Sequence, residues 1–192
     1  MPDTVAGPGA AILVIDLINR LDFPGAEQLR PRAEAAAHAV AGLREQADAA
    51  DVPLIFCNDN HGEWHHDRAA LIEAARDSGA GGRALADRLS PRDRDIVIVM
   101  PQVSAFYATN LPAILPRLGV GRLVLVGVAA DICVLFTAAD AHMREYQLWV
   151  PADAVASEEP DRERWALEIM AKSMGADVRP TTQLALADWL AA

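Results

Sequence analysis

The chain has 192 residues, a length typical of one domain with a single hydrophobic core. Hydrophobic residues make up 52% of it and aromatic residues only 5%, so we expect a core of aliphatic side chains. With 27 acidic and 17 basic residues the net charge is −10, which repels phosphate backbones and argues against a nucleic acid partner.

The N-terminal sequence and the cysteines indicate the compartment. The segment MPDTVAGPGA lacks the basic start and apolar run of a secretory signal, and no stretch has the roughly twenty apolar residues that span a bilayer. We therefore expect a cytoplasmic protein without membrane contact, with residues 1–9 as a leader and residues 10–192 as one domain. Cys57 and Cys133 are too few for a disulfide framework, so both are predicted to be free thiols, Cys57 as a buried structural one.

Short apolar runs alternate with helical patterns along the chain. The runs predict buried strands at residues 10–15, 52–57, 96–99, 123–126, 147–150 and 176–178. Helices are predicted at residues 33–49 with Pro31 in the first turn, and at 69–76, 111–118, 131–144, 162–174 and the C-terminus. A Gly-rich connection precedes the third strand. The alternation predicts an α/β fold of three layers, α/β/α, with a mostly parallel sheet and helices on both faces.

Three positions of chemical interest fall at the carboxyl ends of these strands, where parallel sheets bind ligands: Asp16, Met100 and the turn before Cys133. Cys133 follows a strand and tight turn, so it is expected near a helix N-terminus that stabilises a thiolate. The alternative is a small buried thiol that packs as a hydrophobic residue. The helix itself is predicted to bury a stripe of apolar side chains, namely Ile132, Leu135, Phe136, Ala139 and Met143.

Asp16 also has two interpretations. A carboxylate at a strand end often caps a helix or accepts backbone N–H bonds. Beside a nucleophile, it would instead take the proton from Cys133 and later deliver that proton to a leaving group.

Several segments together resemble the isochorismatase-like cysteine hydrolases over roughly residues 10–180. They are Leu13-Val14-Ile15-Asp16, Ser104-Ala105-Phe106-Tyr107-Ala108-Thr109-Asn110-Leu111, Gly127-Val128-Ala129-Ala130-Asp131-Ile132-Cys133-Val134, Thr137-Ala138-Ala139-Asp140-Ala141 and Asp153-Ala154-Val155-Ala156-Ser157. The resemblance implies a six-stranded sheet and a cofactor-free Asp–Lys–Cys triad that hydrolyses amide C–N bonds of small substrates through a thioester. It also implies a homodimer or homotetramer.

The same resemblance implies roles for individual residues. Asp16 is the base and Cys133 the nucleophile. A cis peptide is implied between Val128 and Ala129, so that the N–H groups of Ala129 and Cys133 form an oxyanion hole.

Met100 departs from the family pattern, which has lysine before Pro101. A thioether carries no charge, so its presence is expected to raise the pKa values of both the Cys133 thiol and the Asp16 carboxyl. Three explanations stay open: a hydrolase with a modified mechanism, a binding protein that no longer hydrolyses, or an engineered Lys→Met replacement.

Weaker signals lie in the loop after the second strand. Asp59 and His61 resemble the Asp-x-His metal ligands of the nicotinamidase branch, but Gly62 replaces the proline that follows there. The loop resembles metal-free members more closely, and that resemblance implies that Asn60, Trp64 and the more distant Phe106 line the substrate pocket. Vinyl ether cleavage, as by isochorismatase, is a further alternative, against which Cys133 argues because that branch does not depend on a cysteine.

Overall fold

The computed structural model describes residues 9–60, 62–64 and 67–192. Within them, six strands form one parallel sheet: β1 (Gly9–Ile15), β2 (Leu54–Asp59), β3 (Ile96–Met100), β4 (Val120–Val128), β5 (Gln147–Trp149) and β6 (Val155–Ala156). The order across the sheet is β3-β2-β1-β4-β5, and β6 continues beside β4 after β5 has ended. The first strand begins at Gly9, the residue at which the predicted leader ends.

Helices cover both faces of this sheet. They are α1 (Ala26–Ala49), α2 (Arg68–Asp77), α3 (Ala80–Leu89), α4 (Leu111–Arg117), α5 (Leu135–His142), α6 (Pro160–Met174) and α7 (Leu186–Ala191). A π-helical turn, Ala130–Val134, precedes α5.

The central strand β1 divides the core into two clusters. Ile12 and Val14 pack on one face with residues of α1, α2, α3 and α7. Leu13 and Ile15 pack on the other face with residues of α4, α5 and α6. Successive side chains of a strand point to opposite faces, so a strand buried on both faces reads as the continuous apolar run seen here. The predicted three-layer α/β/α architecture is therefore confirmed.

The sixth strand differs from the prediction. It is β6, whereas the predicted strand at residues 176–178 forms a single bridge between Asp177 and Trp149. The backbone of Asp177 bonds to both neighbours of Trp149, but its side chain then accepts from the backbone N–H of Arg179 at 2.9 Å. This local turn ends the pairing after one residue.

Two helical predictions also need correction. α1 begins at Ala26, so Pro31 lies in the second turn of the helix and not in the first. The Gly-rich connection after α2 contains a helix, α3, whose glycines obscured it. Gly82 is required there for packing, because a Cβ atom at this position would lie 2.5 Å from the carbonyl oxygen of Ala75 and 2.8 Å from that of Asn19.

The predicted buried stripe after β4 is wrong in its orientation. Ile132, Phe136 and Met143 are 38%, 52% and 71% exposed, while Leu135 and Ala139 are half-buried. The buried face consists mainly of small residues: Ala130, Val134, Thr137, Ala138 and Ala141. Periodicity of large apolar residues defines one face of a helix but does not say whether that face meets the core. Small side chains allow this helix to pack close to the sheet.

No helix in the described part of the chain is both long and apolar enough to cross a bilayer.

Candidate active site

Asp16, Met100 and Cys133 all lie at the carboxyl edge of the sheet, at the ends of β1, β3 and β4, with β2 between β1 and β3. Asp16 follows β1 directly, Met100 is the last residue of β3, and Cys133 lies in the π-helical turn after β4. Ile15, at the end of β1, is paired with Cys57 of β2 on one side and with Gly127 of β4 on the other. Asp16 therefore lies between β2 and β4. β2 pairs with β3, which ends at Met100, and β4 leads to the turn that carries Cys133.

The Asp16 carboxylate is buried and held by short contacts. Its exposed fraction is 7%, and its backbone has a positive φ of 50°, which Asp tolerates better than most residues. The backbone N–H of Asp59 donates to Asp16 Oδ1 at 2.8 Å, and the Cys133 thiol donates a second hydrogen bond. Burial raises the pKa of Asp16 to about 6, against the lowering effect of these two bonds. The group is therefore ionised at neutral pH but close to its titration range.

The Cys133 thiol is protonated in this environment. Burial raises the pKa of the thiol above its ordinary value of 9.0, and the negative charge of Asp16 raises it further. A hydrogen bond with the backbone of Ala129 acts in the opposite direction but is the weaker influence. The expectation of a thiolate stabilised at a helix N-terminus is thus wrong for this structure, because burial and a neighbouring carboxylate outweigh the backbone N–H groups.

Met100 provides no charge that would oppose these effects. Its side chain is 1% exposed and packs in the same core cluster as Ile15, Cys57 and Phe106. On the sheet it stands opposite Asp59 of β2. Among the described residues, no cation appears among the influences on the pKa of either Asp16 or Cys133. The predicted direction of both pKa values therefore agrees with the structure.

The turn that carries Cys133 has an unusual backbone. The Val128–Ala129 peptide is cis, as the family resemblance implies. The Ala129 carbonyl then accepts from the N–H groups of both Ile132 and Val134 at 3.1 Å, and the second of these bonds closes the π-helical turn. The backbone of Ala129 also forms a hydrogen bond with the Cys133 thiol.

Gly127 allows β4 to approach β1 just before this turn. Its φ is +121°, and a Cβ atom there would lie 2.0 Å from the carbonyl oxygen of Ile15. A side chain at this position would therefore force the two strands apart next to Asp16.

A polar network holds Asp131, at the start of the turn that carries Cys133. Ser157 is fully buried and donates from Oγ to Asp131 Oδ1 at 2.5 Å, while the Asp131 N–H donates back to the Ser157 oxygen at 3.2 Å. Arg162 pairs with the other Asp131 oxygen at 2.7 Å. Glu163 accepts from the Ser157 N–H at 3.1 Å and from Arg32 at 2.6 Å. We call these five residues the Ser157 network.

Sequence reasoning did not assign a role to the Ser157 network. Ser157 and Asp131 lie within two of the segments that resemble the family. The available signal was polar: a serine directly follows the apolar run Ala154–Ala156, and an aspartate stands two residues before the candidate nucleophile. The contact between them depends on β6 pairing with β4, which the sequence analysis did not predict.

The residues predicted to line the pocket differ in their placement. Asn60 is 3% exposed and shapes its own loop, since its Oδ1 accepts from the Gly62 N–H at 3.1 Å. Trp64 is 64% exposed. Phe106 is buried, with its ring 6.0 Å from that of Tyr146 and under the Arg144 guanidinium, and its contact with a substrate stays a prediction.

The metal alternative rests on one residue that the structure does not describe. Asp59 lies at the end of β2, but His61 lies outside the described residues, as do His65 and His66. In the rest of the chain, no three His, Cys, Asp or Glu side chains are grouped so as to hold a metal ion.

The other cysteine has a structural role. Cys57 is fully buried in β2, and burial raises the pKa of its thiol. The prediction of a buried structural thiol is confirmed.

Comparison with known proteins is consistent with this fold. Residues 10–183 match the Isochorismatase domain family. The chain is 32% identical to the uncharacterized isochorismatase family protein YaaI of Bacillus subtilis over 91% of its length and 95% of that protein. It is 29% identical to the ureidoacrylate amidohydrolase RutB of Azorhizobium caulinodans, with 76% of this chain and 75% of that protein covered.

Among solved structures, the N-carbamoylsarcosine amidase of Thermoplasma acidophilum superposes with a TM-score of 0.70 at 28% identity, covering 92% of this chain and 99% of that one. A match over nearly the whole domain, in sequence and in fold, establishes the relationship. The chain belongs to the isochorismatase family.

Proposed function

We propose that this protein hydrolyses the C–N bond of a small amide or N-carbamoyl compound through a thioester at Cys133, with Asp16 as general acid and base. The observation that carries the proposal is the hydrogen bond between the Cys133 thiol and a buried carboxylate whose pKa is about 6. A base of that pKa is ionised at neutral pH and still able to return a proton. Two relatives support the reaction class, since they are named as an amidohydrolase and an amidase.

The first half of the reaction forms the thioester. As Asp16 takes the thiol proton, the sulfur attacks the carbonyl carbon and the C=O electron pair moves onto oxygen. The backbone N–H groups of Ala129 and Cys133 stabilise this oxyanion. When the C=O bond re-forms, the C–N bond breaks and Asp16 protonates the departing nitrogen, which leaves as ammonia or an amine.

The second half returns the enzyme to its starting state. Asp16 takes a proton from water, whose oxygen attacks the thioester carbon. The C–S bond then breaks, and the sulfur recovers the proton from Asp16 as the acid product leaves. Each proton taken by Asp16 is returned within the same half-reaction, so no cofactor is required in this scheme.

Met100 makes the first proton transfer difficult. Sulfur must lose its proton although the thiol pKa is raised, and no lysine stabilises the thiolate. We therefore expect slow turnover compared with a site that has a cation at this position. The same observation favours a second candidate function, a protein that binds a small ligand in this site without hydrolysing it.

Ammonia release from small primary amides, N-carbamoyl compounds and nicotinamide distinguishes the two candidates. Hydrolysis predicts release by the unmodified chain, loss in Cys133→Ala, and retention in the matched control Cys57→Ala. Release that survives Cys133→Ala contradicts the nucleophile assignment. No release by the unmodified chain on any of these substrates, together with release by Met100→Lys, supports the binding function instead.

A further inference from the structure

The hydrogen-bond ladder between β1 and β2 changes its pattern at Asp16. In a parallel ladder, a residue donates its N–H to the neighbouring strand, and its carbonyl accepts from the N–H two residues further along that strand. The Asp16 N–H donates to the carbonyl of Cys57 at 2.9 Å, so the pattern would next pair the Asp59 N–H with the Asp16 carbonyl. The Asp59 N–H instead donates to the carboxylate oxygen Oδ1 of Asp16 at 2.8 Å. The carboxylate therefore takes the place of a main-chain acceptor.

This exchange requires the backbone of Asp16 to turn out of the strand. Its φ of 50° lies in the left-handed region, and its carbonyl accepts from the side chain of Asn19 at 3.4 Å. Such a conformation costs free energy in a residue other than glycine and persists where the surroundings hold it in place. The residues that follow Asp16 must therefore be fixed by contacts with another element.

Asn58 of β2 supplies these contacts. Its side-chain oxygen accepts from the Ile18 N–H at 3.0 Å, and its side-chain nitrogen donates to the Ile18 carbonyl at 2.8 Å. The exposed fractions of the two residues are 1% and 2%, so both bonds are shielded from water. One amide side chain thus satisfies both backbone polar groups of Ile18, as a neighbouring strand would.

We propose that Asn58 is a positioning residue for Asp16, which it holds in place through the backbone of Ile18. The proposal rests on the proposed function, in which Asp16 takes a proton from Cys133 and delivers it to the departing nitrogen. Both transfers need the carboxylate within hydrogen-bond reach of the proton. A displacement of about 1 Å can lower the rate on the order of 100-fold, so the turn after Asp16 has to be held closely.

The titration of Asp16 in Asn58→Ala tests this role without a substrate. The variant removes both partners of the Ile18 backbone, so water enters beside Asp16 to satisfy it. Burial is the largest influence on the Asp16 carboxyl and raises its pKa to about 6. Water would weaken that influence, and we expect the pKa to fall to about 5 or below. The other groups that act on this carboxyl, Asp59 and Cys133, are unchanged in the variant.

The measurement is a ¹³C NMR titration of protein labelled at its aspartate carboxyl groups, with Asp16→Asn to identify the signal. On an amide that the unmodified chain hydrolyses, Asn58→Ala should also lower kcat on the order of 10–100-fold. KM should change by less than about threefold, because the proton transfer is misaligned while the binding of substrate is not. Asn58→Ser keeps a donor and an acceptor, so it should change the pKa and kcat in the same directions by less. It provides the test if the alanine variant does not fold.

Gln46→Ala is the matched control, because its amide also joins two elements through a backbone group. Gln46 Oε1 accepts from the Leu186 N–H at 2.8 Å. Gln46 lies near the end of α1, shortly before β2 begins, and so at the amino edge of the sheet, opposite the site. Its loss should change neither kcat nor the pKa of Asp16.

An Asp16 pKa that stays near 6 in the folded alanine or serine variant would overturn the proposal, and so would an unchanged kcat. Loss of stability with both values unchanged would show that Asn58 supports only the fold. If the unmodified chain releases no ammonia from any amide, the proposed function fails, and the titration of Asp16 still decides the role of Asn58.

Discussion

Met100 stands opposite Asp59 at the carboxyl end of the β2–β3 pair, so an uncharged thioether occupies the position beside a carboxylate where the family pattern has lysine. The backbone N–H of Asp59 also donates to the Asp16 carboxylate, so Asp59 lies between Met100 and Asp16 in the sheet. The site therefore carries no positive charge at this position.

The first prediction concerns Met100→Lys. An ammonium group there would lower the pKa values of both Asp16 and Cys133, and we expect kcat/KM for amide hydrolysis to rise on the order of 10–100-fold. Alkylation of Cys133 by iodoacetamide should begin at a lower pH in the same variant. Met100→Leu is the uncharged control and should leave both measurements near those of the unmodified chain. Equal alkylation profiles for the lysine and leucine variants would show that charge at this position does not act on the thiol.

The second prediction is the pH dependence of the unmodified chain. Asp16 accepts a proton only when ionised, and its pKa is about 6, so kcat/KM should rise with pH through about 6. The thiol pKa is raised, so no second ionisation of Cys133 is expected near neutrality and the rate should stay level from about pH 7 to 9. A profile that keeps rising tenfold per pH unit up to pH 9 would indicate attack by a thiolate formed in solution, without help from Asp16.

The third prediction follows from the same carboxyl group but concerns stability. Raising the pKa of Asp16 from 3.8 to about 6 corresponds to a net destabilisation of the ionised form by roughly 3 kcal/mol, in which burial outweighs the two hydrogen bonds. The folded state therefore binds a proton more tightly than the unfolded state, and this group destabilises the fold as pH rises from about 4 to 6. Asp16→Asn should remove activity and raise the free energy of unfolding at pH 7.5, with little change at pH 4. Urea denaturation at the two pH values measures this difference, and an Asn variant that is less stable at pH 7.5 would contradict it.

These predictions rest on residues whose placement the sequence could supply only in part. A buried parallel strand appears in the sequence as a continuous apolar run, and the strand is predicted to end where the run ends. This places Asp16, Met100 and the turn before Cys133 at the carboxyl edge of the sheet. The position of Cys133 near a helix N-terminus does not by itself predict that the pKa of its thiol is raised. That pKa depends on burial and on the distance to Asp16, and both come from packing between strands that are far apart in sequence.

The orientation of the helix after β4 shows a second limit of sequence reasoning. Large apolar residues at Ile132, Phe136 and Met143 have the spacing of a core stripe, yet they are exposed, and alanines face the sheet. Hydrophobic periodicity cannot distinguish a face that meets the core from a face that stays exposed. Ser157 was missed for a different reason, because its contact with Asp131 depends on the two-residue strand β6, which the sequence does not predict.

The fourth prediction tests the Ser157 network as a positioning device. Ser157→Ala removes the hydroxyl that bonds to both the side chain and the N–H of Asp131, and we expect a loss of about 1–3 kcal/mol of stability. It should also lower kcat more than it changes KM and shift the pH at which Cys133 is alkylated, because the Cys133 turn loses its support. Ser104→Ala is the matched control, since Ser104 is also buried and donates to one carboxylate, that of Asp140, at 2.6 Å. If both variants lose equal stability and neither changes the alkylation profile, the role of Ser157 is only structural.

The last prediction concerns the close approach of β4 to β1 at Gly127. A Cβ atom there would lie 2.0 Å from the carbonyl oxygen of Ile15, a contact that only movement of the backbone can relieve. Gly127→Ala should therefore cost several kcal/mol of stability, about 3 or more.

Gly119→Ala is the control: Gly119 also has a positive φ, of +66°, but nothing lies within 4 Å of its Cβ position. It should lose only the backbone penalty of about 1–2 kcal/mol. The difference in urea midpoints between the two variants isolates the steric cost of the contact. Equal midpoints would mean that β1 and β4 can separate at Asp16 without penalty, so that the strand contact does not fix the distance between Asp16 and Cys133.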